Sequence, residues 1–291
     1  MNTSSILGFF KEIVIDRSIG GKPLNDNIVI VTACNPSGRK AISDGGSFRE
    51  QDLGKDSASG HYRVNELPAS MAKLKWIYGS LDSVQEKEFI LRRLRMLDEE
   101  IPYSCVMELT EMVAMSQEAI RSFAFTNIND GLKRVSPETI CKFDVEQRAK
   151  STVSLRDIQR AFNFFLFFCN EFSGIQNSKV DKYRQSMLLA VAVVYYLRLD
   201  SICRKKYLVK MSKLDGYERG TMGLKDILDD AMNMIVEESE IPNGIALTRG
   251  LKENIFMTVI CALSSTPLMI IGPPGSSKVR VDIFLHVVKF Y

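Results

Sequence analysis

The sequence predicts an α/β chain of predominantly helical content, and three observations predict it. Short, almost continuously apolar runs rich in β-branched residues occur at IVIVTA (28–33) and LMII (268–271). Between them, apolar residues recur every three or four positions over long stretches, which is helix spacing. The second run leads directly into Gly272-Pro273-Pro274-Gly275-Ser276-Ser277-Lys278, the strand-then-glycine-loop order from which phosphate-binding α/β folds are built.

Composition sets the bounds. A chain of 291 residues with 45% hydrophobic and 25% charged positions can bury a large core and does not read as disordered, fibrous or disulfide-stapled. The net charge of +3 is too small on this length to argue for a nucleic-acid or anionic-membrane partner. Six cysteines without a C-x-x-C pair, and two distant histidines, His61 and His286, give no zinc or disulfide framework, so no metal site is expected. The Met1 segment lacks the basic start, apolar run and cleavage site of a secretory signal, so reduced thiols and a cytosolic setting are expected. The longest apolar stretch, Met187 to Leu197, is too short to span a bilayer and reads as a core helix.

Each element follows from its local pattern. SSILGFFKEIVI reads as a short helix capped by Ser4 or Ser5, burying Ile6, Phe9, Phe10 and Ile13. Ile28 to Ala33, bounded by Asn27 and Asn35-Pro36, reads as a strand covered on both faces. Ser37 to His61 is polar and Gly/Ser-rich, a surface loop, and Lys73 to Gly79 is a second predicted strand. Helical spacing then sets in at Val84 to Leu97, Cys105 to Thr126, and from Ser154, where Leu155, Ile158, Phe162, Phe165, Cys169 and Phe172 recur at three and four residues and Ser154-Leu155-Arg156-Asp157 has capping-box spacing. Further helices are predicted at about Lys182 to Lys210 and Leu224 to Glu238, and along the face Leu247, Leu251, Ile255, Val259, Leu263. Trp76, Tyr78 and the Phe162 to Phe168 run read as core, and Arg92-Arg93-Arg95 as a solvated helix face.

The chemistry concentrates in few places. In a phosphate loop, glycines let backbone amides converge on phosphate oxygens, a lysine reaches the outer phosphates and the next hydroxyl holds magnesium. Gly272, Gly275, Ser276, Ser277 and Lys278 supply the cradle and the cation, but Ser277 replaces the last glycine and Val279 cannot ligate a hard cation. The alternative is a Gly/Pro turn with a solvent-facing lysine. From Arg280 the chain alternates as Val281, Ile283, Leu285 and Val287, in strand fashion, where a phosphate loop should open a helix. Asn35, at the end of a predicted strand, is placed to orient water near a terminal phosphate, or else simply ends the strand as an Asn-Pro turn. Arg156, at the start of a capped helix, can offer a guanidinium to phosphate, or else is a solvated arginine.

Taken in order, TSSILGFFKEIVIDRS, NIVIVTACNP, YRVNELPASMAKLKWIYGSL, VSLRDIQRAF, RQSMLLAVAVVYYLRL and GIALTRGLKENIFMTVICALSSTPLMIIGPPGSSK resemble the dynein-like AAA+ core of mysterin-type giant RING ubiquitin ligases. The resemblance runs through nearly the whole chain to Lys278; GPPGSSK resembles that family's Ser-Ser-Lys form of the loop, whereas Val279 stands where its pattern has Ser or Thr. The resemblance implies sensor 1 at Asn35, sensor 2 at Arg156 in a helical lid, and the phosphate-loop lysine of a following module at Lys278. It implies a partial AAA+ (P-loop NTPase) layout: 1–82 the C-terminal part of a large α/β subdomain, 83–172 the helical lid, 173–244 a helical connection, and 245–291 the start of a second module.

The resemblance further implies ATP and magnesium as cofactors of an intact parent, with none expected to act in this chain by itself. Neighbouring AAA+ modules of the same parent are the expected partners, with ubiquitin and a ubiquitin-conjugating enzyme engaged only through domains outside this sequence. The cytosol, with lipid-droplet association, is the implied location. A non-catalytic helical interaction module built on the same fold, or a dynein- or midasin-like stretch without ligase function, are the competing readings.

Overall fold

The computed structural model describes residues 6–34, 67–76, 81–96, 101–133, 152–170, 181–214, 223–239, 241 and 245–269. Two compact units divide the chain, one from residues 1–80 and 124–152, the other from 81–123 and 153–291. The predominantly helical content expected from the spacing is present.

In the first unit, helix α1 (Leu7–Lys11) runs on into a π turn, Glu12–Asp16. Its N-cap is Ile6, with no side-chain cap; the Ser4 and Ser5 assigned that role lie outside the described residues. No residue of α1 or the π turn is fully buried, so the predicted buried face is only half-covered. Arg17 ends the π turn at φ 49°, after which β1 (Ser18–Ile19) pairs antiparallel with β2 (Lys22–Pro23). Gly20 and Gly21 turn the hairpin at φ +58° and +76°, a left-handed pair that side-chain-bearing residues adopt at a cost. The Glu12 carboxylate accepts the Gly21 N–H at 2.9 Å and the Ser18 hydroxyl at 3.2 Å, tying hairpin to helix. Helix α2 is a single turn, Ala69–Ala72.

Both strands predicted in this region fail in their described parts. Ile28 to Ala33 is irregular, with Val29 and Val31 86% and 89% exposed. Lys73 and Leu74 form a turn and Trp76 is exposed, not core. A strand's N–H and C=O groups need a neighbouring strand, and among the described residues none pairs with either segment. Leu268 and Met269, predicted to open the strand LMII, are likewise exposed and irregular. Residues 37–61, Tyr78, Phe172 and 270–291 lie outside the described residues.

The second unit holds the core. Helix α3 (Ser83–Arg95) starts in a capping box, Asp82 accepting the Val84 and Gln85 N–H groups at 2.9 and 2.8 Å while Gln85 returns a bond to the Asp82 N–H. Helix α4 (Tyr103–Lys133) begins in this unit and ends in the other. Helix α5 (Leu155–Asn170) buries Ile158, Phe162, Phe164, Phe165, Phe167 and Phe168, the core run read from the sequence. Helix α6 (Lys182–Val191) continues through a π turn, Ala192–Tyr196, and α7 (Ser201–Met211) follows. The single helix predicted over 182–210 is therefore two. Asp200 accepts the Ile202 and Cys203 N–H groups at 2.9 and 2.8 Å, starting a new helix where the sequence pattern shows no break. Helices α8 (Leu224–Glu238) and α9 (Arg249–Leu263) complete the unit. Among the described residues α5 packs on α6, α8 on α9 and α8 on α6.

Candidate functional site

Of the residues the sequence singles out, only Arg156 is described; Asn35, Gly272, Gly275, Ser276, Ser277 and Lys278 lie outside the described residues. The geometry on hand is therefore that of the start of α5. Ser154 Oγ accepts the Arg156 N–H at 3.3 Å, and Asp157 Oδ2 accepts the Ser154 N–H at 2.8 Å and its hydroxyl at 3.3 Å. The Asp157 arm of the predicted capping box is thus formed, while the Ser154 hydroxyl caps the Arg156 N–H in place of the Asp157 N–H. Asp157 is buried at 8% exposure, with its other oxygen 3.5 Å from Arg198 and 3.7 Å from Arg160.

Arg156 stands on this turn exposed, and its guanidinium makes no hydrogen bond or ion pair among the described residues. A cation at a helix N-terminus gains nothing from the macrodipole, which is positive there. The same placement suits an external anion, since guanidinium and helix end attract it together.

Beneath this turn runs a buried polar network. Glu86 on α3 takes a two-pronged bond from Arg121 on α4, 2.6 Å on each arm. Arg121 also donates to Gln117 Oε1 at 3.1 Å, which fixes the amide so that Nε2 faces Tyr195 Oη at 3.0 Å and the Ser154 carbonyl at 3.3 Å. Burial pushes the Tyr195 hydroxyl well above the usual tyrosine range, with the Gln117 bond opposing. A buried hydroxyl pair, Ser116 with Tyr207 at 2.6 Å, joins α4 to α7.

At the foot of α9, Arg204 donates to both oxygens of Glu253 at 2.7 and 3.0 Å and to the Leu197 and Leu199 carbonyls at 2.7 and 2.8 Å. It thereby closes the C-terminal end of the π turn and anchors the helix that leads towards residues 272–278. Arg249 binds Glu253 and Asp229, carrying the cluster onto α8. Cys261 on α9 is buried, and burial lifts its thiol to about 11.

Gln117, Tyr195, Arg204 and Glu253 carry these two clusters, and sequence reasoning named none of them for a role. The available signal was Tyr195, a hydroxyl inside an apolar run that must find a partner once buried. No group of three or more His, Cys, Asp or Glu among the described residues could hold a metal ion. No helix among them is long and apolar enough to cross a membrane.

A family model described as the RNF213 AAA domain matches residues 244–286. The chain is 29% identical over 305 residues to E3 ubiquitin-protein ligase rnf213-beta of Danio rerio, covering 95% of this chain and 6% of that protein. It is 27% identical over 311 residues to E3 ubiquitin-protein ligase RNF213 of Homo sapiens, with coverage of 95% and 6%. For the Mus musculus RNF213 the figures are 26% over 320 residues, 98% and 6%. The chain spans about 6% of the length of the curated relatives it matches. The resemblance to mysterin-type AAA+ ubiquitin ligases, read from the motifs alone, is matched along nearly the whole chain by these RNF213 proteins.

Proposed function

We propose that this chain is a stretch of an AAA+ core of the RNF213 kind, acting as the sensing wall of one nucleotide pocket and the threshold of the next. In this reading 1–82 is the closing part of a large α/β subdomain with Asn35 as sensor 1, and 83–172 is the helical lid with Arg156 as the sensor-2 arginine. Residues 173–244 form the connection, and 245–291 open a second module at Gly272, Gly275, Ser276, Ser277 and Lys278. The observation that carries the reading is the family match over 244–286, because it takes in both α9 and the GPPGSSK stretch.

The chemistry assigned to each residue follows from its type. Arg156, exposed at a helix start and without a side-chain partner among the described residues, fits a contact to the phosphates of ATP. Lys278 supplies a point charge for outer phosphates. Magnesium does not fit at Val279, which has no oxygen to offer, so no step is assigned to a metal here. Ubiquitin transfer, with ubiquitin and a conjugating enzyme as partners, belongs in this reading to other parts of a parent protein, as does its cytosolic and lipid-droplet setting.

Two measurements test it. The purified chain is expected to show no magnesium-dependent ATP turnover; turnover that disappears in Lys278→Ala overturns the reading. Sequencing of the transcript on either side is expected to show a phosphate loop and acidic motif upstream and a RING downstream in one frame, and finding neither refutes the parentage.

A second reading, a non-catalytic interaction module, draws on the exposed Val29, Val31, Leu74 and Trp76. A monodisperse monomer in dilute solution with one cooperative unfolding transition favours it; self-association favours the AAA+ stretch.

A further inference from the structure

Gln117 is placed to do more than fill space. It lies in the middle of α4, fully buried, and its polar atoms engage Arg121 on the same helix and two other segments, the π turn and the head of α5. Its Oε1 takes Arg121, which is held in turn by Glu86 on α3. Its Nε2 faces both the Tyr195 hydroxyl in the π turn and the Ser154 carbonyl at the head of α5.

That carbonyl is the one on which the first turn of α5 closes, accepting the Asp157 N–H at 3.0 Å and the Ile158 N–H at 3.4 Å. Arg156 sits between, on the peptide whose N–H goes to Ser154 Oγ. First turns of helices ordinarily fray, because they lack the full set of intrahelical bonds. Here the carbonyl at the pivot carries an extra bond from a buried side chain that cannot itself swing. The π turn belongs to the same device. Its one-residue excess per turn accompanies the placing of Tyr195 against Gln117, and Arg198 just beyond reaches Asp157.

We propose that Gln117 is a positioning residue for Arg156: clamped by Arg121 and Tyr195, it fixes the Ser154 carbonyl, locks the first turn of α5, and so aims the Arg156 guanidinium at a polyphosphate. The last step rests on the reading of Arg156 given above; the locking of the turn does not.

The test is amide hydrogen exchange on the full chain, read as protection factors at Asp157 and Ile158. Gln117→Leu keeps most of the volume and is expected to lower protection at these two amides about tenfold, the scale of one lost buried hydrogen bond, while α8 amides stay unchanged. Gln117→Glu supplies the second arm. Its carboxylate can accept from Arg121 but cannot donate to Ser154, and it adds a negative charge near Glu86 and Asp157. Protonation at low pH restores a donor, so protection at Asp157 and Ile158 is expected to recover as pH falls in Gln117→Glu but not in Gln117→Leu.

Protection at those amides that ignores both substitutions overturns the positioning role, as does a loss spread evenly over α5, α8 and α9. Binding is read separately, with inorganic tripolyphosphate as the probe. Arg156→Gln and Gln117→Leu are both expected to weaken it severalfold. If Arg156→Gln leaves binding unchanged while Gln117→Leu still loosens the turn, the phosphate reading falls and the locking of the turn by Gln117 stands.

Discussion

Two apolar segments of this chain have similar composition and opposite fates. Ile28 to Ala33 and Val191 to Tyr196 are both short, both rich in β-branched or aromatic residues, and on propensity alone both suit a strand. The first lies irregular with its valines in solvent; the second is buried throughout, wound into the end of α6 and its π turn. A helix closes its backbone hydrogen bonds within its own segment, so an upstream cap at Asp181 and a face of packing partners are enough to set it. An extended segment must borrow its ladder bonds from a neighbouring strand, and among the described residues no strand pairs with this one.

The contrast makes graded predictions for unfolding in urea. Phe162→Ala, in the centre of the α5 face and without solvent exposure, is expected to cost about 3–5 kcal/mol. Arg204→Ala comes next, at about 2–4 kcal/mol, because it leaves the half-buried Glu253 carboxylate with Arg249 alone and frees the Leu197 and Leu199 carbonyls together. If Arg204→Ala costs nothing, α9 is anchored by apolar packing alone. Tyr195→Phe keeps the ring and removes one acceptor from Gln117, an expected loss of about 1–2 kcal/mol.

Stability against pH sharpens the same picture from the buried side. Burial raises the Cys261 thiol from 9.0 to about 11, and lifts the Tyr195 and Tyr207 hydroxyls further. In each case the neutral form is the one the fold favours, so its contribution is complete below the ordinary pKa and is lost as pH rises through the folded value. The urea midpoint should hold to about pH 8, near the free thiol's pKa, then fall as pH climbs through about 11. Cys261→Ala should shrink the earlier part of that fall, which the Cys105 and Cys169 thiols, also raised by burial, share, and an unchanged slope would place the ionising groups elsewhere.

Legibility in the sequence follows the same division. The helix over Leu224–Glu238 and the Ser154 cap with its Asp157 return bond appear where the spacing put them, since both signals are local. The break at Asp200 escaped notice because an aspartate inside an apolar pattern reads equally as a surface residue or a cap. Of the candidate site, the start of α5 was legible through its cap. The supports beneath it were not, because Glu86, Gln117 and Tyr195 are brought together only by packing, across sequence separations no motif records. Trp76 was misread for the reverse reason: an aromatic residue usually marks a core, and here it is exposed.

The smallest effect discriminates best. Val31→Thr replaces a methyl by a hydroxyl on a side chain 89% exposed, and at that exposure the change should stay within about 0.5 kcal/mol. In a strand covered on both faces the same substitution would bury an unpartnered hydroxyl, at a cost of about 1–3 kcal/mol. A loss in that upper range would mean that Ile28 to Ala33 is paired and covered in solution, as its sequence predicts. Its apolar pattern would then describe a strand completed by a neighbour, and the contrast with α6 would vanish. A loss near zero keeps the contrast and leaves Val29 and Val31 as solvent-facing groups on a segment outside any sheet.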